Sequence, residues 1–268
     1  MPLRRLGEGI GKVVYASPHW VIKRERSSFE VIALINLWKL LRRFQQMLPR
    51  TWGASLLSRP SRRIRVLRLL VQGLMLILPK GIWFNSRVKD VWKVYRRRDR
   101  RGTRLATEIL SGTPLIPKTV RFPPVRVHID GWPGWLIVSE ATERVECTLY
   151  ERLVALSREG RFDKLELWLN RYLALRQSGW QQGLFSLDAH LKNFGVSGER
   201  LVLLDPGGLT DRWEEIVAKL SAEEAAFPPH VQLGLGSILA EVPGIARRFD
   251  ERWRAVVNPE GVKSHWPG

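Results

Sequence analysis

The chain has 268 residues, 44% of them hydrophobic and 26% charged, which suits one large domain or two small lobes with cores of their own and excludes a disordered or fibrous protein. Its longest nearly apolar stretch, Leu69 to Leu78, contains Gln72 and Gly73 and is about half the ~20 residues a spanning helix needs, so an integral membrane protein is not expected. The formal charge is +18, from 44 basic and 26 acidic residues, and it directs attention to anionic partners.

The excess charge is uneven. Residues 1–105 hold 25 basic and 5 acidic residues, against 19 and 21 in residues 106–268. A basic region joined to a near-neutral one suits contact with phospholipid, nucleic acid or a phosphorylated substrate. A solvated basic face serving solubility would give the same count. The lone Cys147 excludes an internal disulfide framework and a multi-cysteine metal site. The first residues, MPLRRLGEGI, carry no apolar core and no small-residue cleavage site, so the expected compartment is the cytoplasm.

In chain order, Leu6 to Lys23 reads as a glycine-rich turn and two strands, Val13–Tyr15 and Trp20–Ile22, joined by the turn Ser17-Pro18-His19. Ser28 to Met47 repeats apolar residues at helical spacing. A second basic amphipathic stretch, Arg62 to Leu78, ends at Pro79. The arginine run Tyr95 to Gly102 reads as an exposed junction, and Thr103 to Leu110 as a short helix stopped by Gly112 and Pro114. Strands are expected at Val120–Ile129 and Trp135–Val138, around the turn Asp130 to Gly134. Beyond Glu140 the pattern turns helical, with Leu165, Trp168, Leu169, Tyr172 and Leu173 on one face. Leu184–Leu187 and Leu201–Leu204 then flank a polar loop, and two further helices close the chain. Strands first and helices later predict an α+β fold.

Three motifs follow one another. Gly7-Glu8-Gly9-Ile10-Gly11 would let backbone N–H groups approach phosphate oxygens, although an ordinary hairpin turn uses the same residues. Lys23 ends an apolar strand, where it suits either phosphate contact or a snorkelling edge position. Asp188-Ala189-His190-Leu191-Lys192-Asn193 precedes an apolar strand that ends at Asp205-Pro206-Gly207. That spacing can gather a base, an amide oxygen and a carboxylate around a phosphate-bound Mg²⁺. Asx turns at hairpin ends favour the same residue types.

The series Gly-x-Gly-x-Gly-x-x-Val, strand-terminal Lys, Asp-x-x-x-x-Asn and Asp-x-Gly resembles the protein-kinase-like fold over most of the chain except about 24–100. The resemblance implies two lobes: an antiparallel-sheet N-lobe over 1–140, carrying a basic and mostly helical insertion at about 24–100, and a helical C-lobe over 141–268. It implies that Gly7, Gly9 and Gly11 cover ATP, that Lys23 contacts its α/β-phosphates, and that Glu108, in preference to Glu30, pairs with the lysine. The stretch Trp135 to Ala141, with Glu140, is similar to the strand and hinge that hold adenine. Asp188 is then the catalytic base, with Asn193 and Asp205 on Mg²⁺. Lys23, Asp188 and Asp205 are expected to share one cleft.

Several features depart from the common pattern. Ser186-Leu187 stands where His-Arg precedes the catalytic Asp, and Pro206 replaces the Phe of the metal-binding triplet. The glycine loop is one residue short and lies about ten residues from Lys23. His190, two after Asp188, resembles the Asp-x-His-x-x-Asn loop of aminoglycoside and choline phosphotransferases and bacterial lipopolysaccharide kinases. The expected activity is transfer of a γ-phosphoryl group to a hydroxyl on a lipid-linked sugar, a small molecule or a protein. The alternative is a pseudokinase or nucleotide-binding adaptor.

The stretch 24–100 holds 19 basic and 4 acidic residues interleaved with Trp38, Trp52, Trp83 and Trp92. Residues 28–100 are expected to be helical and to dock on an anionic membrane from its inner face. Nucleic acid contact and a helical cap packed on the small lobe are the alternatives. His19, His128, His230 and His265 show no ligand spacing, and Cys147 reads as a small packed hydrophobe.

Overall fold

The computed structural model describes residues 3–8, 11–28, 30–32, 34–35, 86–129, 135–223 and 227–267. The predicted helix Arg62 to Leu78, most of the helix Ser28 to Met47, Gly9 and the turn at 130–134 lie outside the described residues. The fold is α+β, with an antiparallel sheet followed by helices.

The strands β1 (Arg4–Glu8), β2 (Lys12–Ala16), β3 (Trp20–Glu25), β4 (Thr119–His128) and β5 (Trp135–Glu143) run in the order β1-β2-β3-β5-β4. The chain divides into two compact units: Met1–Ala16, Ile22–Arg96 and His128–Trp135 in the first, and Ser17–Val21, Arg97–Val127 and Leu136–Gly268 in the second.

In the first unit β1 and β2 form an antiparallel hairpin with Gly7 opposite Val14, Glu8 opposite Val13 and an irregularity between Arg5 and Gly7. Val13 and Tyr15, which alternate as a half-buried strand requires, are buried. Past β3, Ser27 and Glu30 form a reciprocal cap: Glu30 N–H donates to Ser27 Oγ (3.2 Å) and Ser27 N–H donates to Glu30 Oε2 (2.7 Å). Val31 and Ile32 follow on helical backbone and are buried.

A 24-residue helix, α1 (Ser86–Ile109), runs through the stretch predicted to be an exposed junction and a short helix. Arginine is a good helix former and no proline interrupts the run, so the helix continues through it. Gly102 and Asp99, inside the arginine run, are buried.

The second unit contains the main core. The turn Ser17-Pro18-His19 closes with Ser17 N–H donating to Trp20 O (2.9 Å), and Trp20 and Val21 pair with Glu143 and Thr142 of β5. β6 (Cys147–Thr148) leads into α2 (Leu149–Arg158), capped by a Thr148–Glu151 capping box. The helix after α2, α3 (Phe162–Gln181), buries Leu165, Trp168, Leu169, Tyr172 and Leu173 on the predicted face and extends that stripe to Arg176 and Trp180. β7 (Phe185–Ser186) precedes β8 (Phe194–Ser197) and β9 (Arg200–Leu203); β6, β8 and β9 form a small antiparallel sheet, and β7 pairs with β10 (Leu209–Thr210). Among the described residues five helices follow where two were predicted: α4 (Trp213–Glu223), α5 (Pro229–Gln232), α6 (Gly236–Leu239), α7 (Pro243–Val256) and α8 (Pro259–His265). Pro at the first turn of α5, α7 and α8 divides the segment into short pieces, as a residue without a backbone N–H permits only there. No helix among the described residues is long and apolar enough to cross a membrane.

Candidate active site

Backbone pairing in the second unit gathers the three polar positions of the Asp-x-x-x-x-Asn and Asp-x-Gly motifs. β7 runs antiparallel to β10 with Ser186 opposite Leu209 and Phe185 opposite Thr210. Leu187 N–H adds a bond to Gly208 O (2.9 Å). The turn leaving β7, which carries Asp188, therefore lies against the turn entering β10, which carries Asp205. Their approach is close: a Cβ built on Gly208 would stand 3.0 Å from the Cβ of Asp188. Asn193 ends a 3₁₀ turn, Leu191–Asn193. Its carbonyl accepts from Leu204 N–H (2.7 Å), the residue just before Asp205.

The side chains at these positions are hard oxygen donors with local supports. Asp188 Oδ1 accepts from His190 N–H (3.3 Å), and His190 Nε2 stands 3.9 Å from the same oxygen. With 52% of its side chain exposed, the Asp188 carboxylate can be reached by a substrate. Asp205 Oδ1 accepts from Gly207 N–H (3.3 Å), an Asx turn that fixes its carboxylate relative to the loop. Among the described residues no three or more His, Cys, Asp or Glu side chains gather to hold a metal. An asparagine and an aspartate, Asn193 and Asp205, are nonetheless oxygen donors of the kind Mg²⁺ takes, because that ion retains waters and takes substrate phosphates into its shell.

Two side chains one turn apart on α3 hold the backbone on either side of Asp188. Tyr172 Oη donates to Ala189 O (2.8 Å) from a fully buried position, and Arg176 Nη2 donates to Ser186 O (3.3 Å). Neither residue was selected from the sequence as functional. The available signal was a basic residue continuing the apolar stripe of α3 after Leu173, since such a charge is retained at a core position only when it serves a partner.

On the other side, α1 packs on the Asp205 loop through Gly102. A Cβ there would overlap the carbonyl oxygen of Pro206 and come within 2.9 Å of Gly207 C. The carboxylate of Asp99, three residues earlier and so on the same helical face, lies against Gly207, which has no room for a side chain. Asp99 is the single acid in the run Tyr95 to Gly102, and that isolation was its only mark in the sequence. Arg101 forms ion pairs with Asp211 and, at 3.7 Å, with Glu215, tying α1 to the segment after β10.

Gly7 lies in β1, and Gly9 is outside the described residues. Gly11 O accepts from Arg26 N–H (2.7 Å), and a Cβ at Gly11 would meet the Trp92 ring at 3.2 Å. Lys23 has an exposed side chain on β3. Glu30 forms a two-pronged pair with Arg24 (2.8 and 3.1 Å), whose guanidinium holds its carboxyl below the ordinary range. Glu108 is on the exposed side of α1, 3.7 Å from Arg104, and Glu140 is exposed on β5, 3.4 Å from Arg121.

Compared with protein-family models and with curated proteins, the chain finds no match in either.

Proposed function

We propose that this chain is an ATP-dependent phosphotransferase of protein-kinase-like, two-lobed fold that moves a γ-phosphoryl group to a hydroxyl acceptor. The observation carrying this reading is the backbone assembly that sets Asp188, Asn193 and Asp205 on adjoining turns. A catalytic carboxylate that can be reached from solvent, next to two oxygen donors suited to Mg²⁺, is the arrangement phosphoryl transfer requires.

In the proposed reaction Asp188 orients the acceptor hydroxyl and takes its proton as the new O–P bond forms and the bond between the γ-phosphorus and the β–γ bridging oxygen breaks, releasing ADP. Asn193 and Asp205 would hold Mg²⁺, which when bound neutralises charge on the phosphate oxygens. The resemblance assigns Gly7, Gly9 and Gly11 to the nucleotide and Lys23 to its phosphates. Tyr172 and Arg176 act as positioning residues, through the carbonyls flanking Asp188.

The test is thermal stabilisation by ATP with and without Mg²⁺, combined with a transfer assay. Wild-type protein should be stabilised more by ATP–Mg²⁺ than by ATP alone. Asp188→Asn should retain that difference and lose transfer. Mg²⁺-dependent stabilisation without transfer to any hydroxyl acceptor would move the chain to the nucleotide-binding adaptor reading, and no stabilisation by ATP would end both.

The basic region supports a peripheral contact with anionic membrane. On α1, Val91, Val94 and Tyr95 are exposed at i, i+3 and i+4 beside Lys93, Arg97, Arg98 and Arg100. Each basic residue near an anionic surface contributes about 1 kcal/mol, and salt screens it. Co-sedimentation with anionic but not neutral vesicles, weakening with salt, is the expected result. Binding to RNA or DNA in place of vesicles would assign the region to nucleic acid.

A further inference from the structure

The interior of the second unit holds a cation without a counter-charge. Arg176 is 5% exposed. Among the described residues it forms no ion pair, and its one hydrogen bond runs from Nη2 to Ser186 O. Nε and Nη1 are buried without a partner, as is Nε1 of Trp180 one turn along α3. Both residues line a cavity of about 40 Å³ walled mainly by leucines, together with Phe194 and Ser186.

An unpaired guanidinium in such surroundings is costly, because burial removes its hydration. The rings of Phe185 (5.0 Å), Trp253 (5.1 Å) and Trp180 (5.9 Å) surround the charge and offset part of that cost. They leave the N–H groups unmatched, and a buried donor without an acceptor is itself unfavourable. The cavity, which is partly open, exceeds the ~15 Å³ that one water-sized body needs.

We infer that this cavity binds a monatomic anion of halide size, held by Arg176 and the indole N–H of Trp180. Water answers the same donors less well. Its two hydrogens also need acceptors, and the leucine-rich wall offers few, whereas a halide accepts in every direction and neutralises the guanidinium. The site lies beneath the strand that leads to Asp188, because Arg176 also holds Ser186 O. It is independent of the phosphotransfer reading, since nothing in it requires ATP, Mg²⁺ or a reaction.

The experiment is thermal unfolding of the full chain in chloride and in gluconate at matched ionic strength, so that general screening is constant. Chloride should raise Tm on the order of 5 °C over gluconate, saturably with concentration. Trp180→Phe, which keeps an aromatic side chain and removes the donor, should reduce the difference, and Arg176→Met should abolish it. A crystal grown in bromide should show an anomalous peak within hydrogen-bonding distance of Arg176. Equal Tm in the two salts, or a chloride effect undiminished in Arg176→Met, overturns the proposal. Should Arg176→Met fail to fold, Trp180→Phe and the bromide crystal decide, and a cavity filled by water alone in bromide overturns it.

Discussion

The β7–β10 region of the second unit and the glycine hairpin of the first place their polar groups by different means. Asp188, Asn193 and Asp205 stand on turns whose ends are fixed by main-chain hydrogen bonds, Leu187 to Gly208 and Leu204 to Asn193. Tyr172 and Arg176 hold the same turn from beneath. In the hairpin, Gly7 and Gly11 are attached to two short strands, and among the described residues of these strands Val13, Tyr15 and Ala16 are buried. A site supported by a large core and main-chain pairing is preorganised. On the hairpin it is strand register that sets the spacing of Gly7 against Val14.

The largest expected effect tests the preorganised side. Asp188→Ala should lower transfer by about 10²–10⁴-fold, the usual contribution of a positioned base, while ATP–Mg²⁺ stabilisation persists. Asp205→Asn should remove the Mg²⁺-dependent part of the stabilisation and leave the Mg²⁺-independent part. Equal ATP–Mg²⁺ shifts in wild type and Asp205→Asn would remove Asp205 from the metal site and break the contrast.

That contrast also explains what could be read in the sequence. Spacing across a tight strand pair sets distance directly, so Asp188, Asn193 and Asp205 could be grouped from their separations and the apolar run between them. The α+β order and the strands β4 and β5 were legible for the same reason: alternation and turn residues mark them locally. Asp99 was not legible, because its role depends on how far α1 extends. With a helix beginning only at Thr103, Glu108 stands out as its carboxylate. In the observed helix, Ser86–Ile109, the register buries Asp99, Gly102, Leu105 and Ala106 and leaves Glu108 exposed beside Arg104. Arg176 was missed for a related reason. An arginine ending an apolar stripe reads as a surface residue until the helix is known to continue through Trp180 inside the core.

Glycine substitutions probe the support of the Asp205 loop. Gly102→Ala puts a methyl group into the backbone at Pro206 and Gly207, and Gly207→Ala puts one into the Asp99 carboxylate. Overpacking of this kind costs about 1–3 kcal/mol. Gly102→Ala should be the more damaging, because main chain yields less readily than the end of a side chain. Denaturant midpoints measure both. A neutral Gly102→Ala would mean that α1 does not brace the loop.

A comparable loss is expected at a site away from the candidate active site. Asp250, buried on α7, accepts from His230 N–H and stands 2.8 Å from His230 Nδ1. Asp250→Ala leaves a buried N–H without an acceptor and should cost about 1–3 kcal/mol, with Asp250→Asn costing less. Transfer by the folded fraction should be unchanged, which separates general destabilisation of the second unit from damage to its active turns.

The smallest effect concerns the first unit and depends on pH. Glu30 has its pKa lowered chiefly by the hydrogen bonds from Arg24, against a desolvation that raises it, with Ser27 N–H adding to the lowering. A carboxyl whose folded pKa is depressed contributes stability fully above its unfolded value, about 4.5, and loses it as pH falls through the folded value. Glu30→Gln should therefore reduce stability near neutrality and make no difference once the wild-type carboxyl is protonated. The pair is part-buried, with about a third of each side chain exposed, and screening limits its contribution to about 0.5 kcal/mol, which added salt should reduce further. The neutral amide can still accept from Ser27 N–H, so the cap survives and the measured difference isolates the charge on Glu30. Comparing denaturant midpoints of wild type and Glu30→Gln from pH 7 down through the depressed folded-state value reads it directly. A gap that stays constant across that range would show that Glu30 acts through the cap and not through Arg24. A gap that closes on acidification would show that the first unit draws measurable stability from the Arg24–Glu30 ion pair.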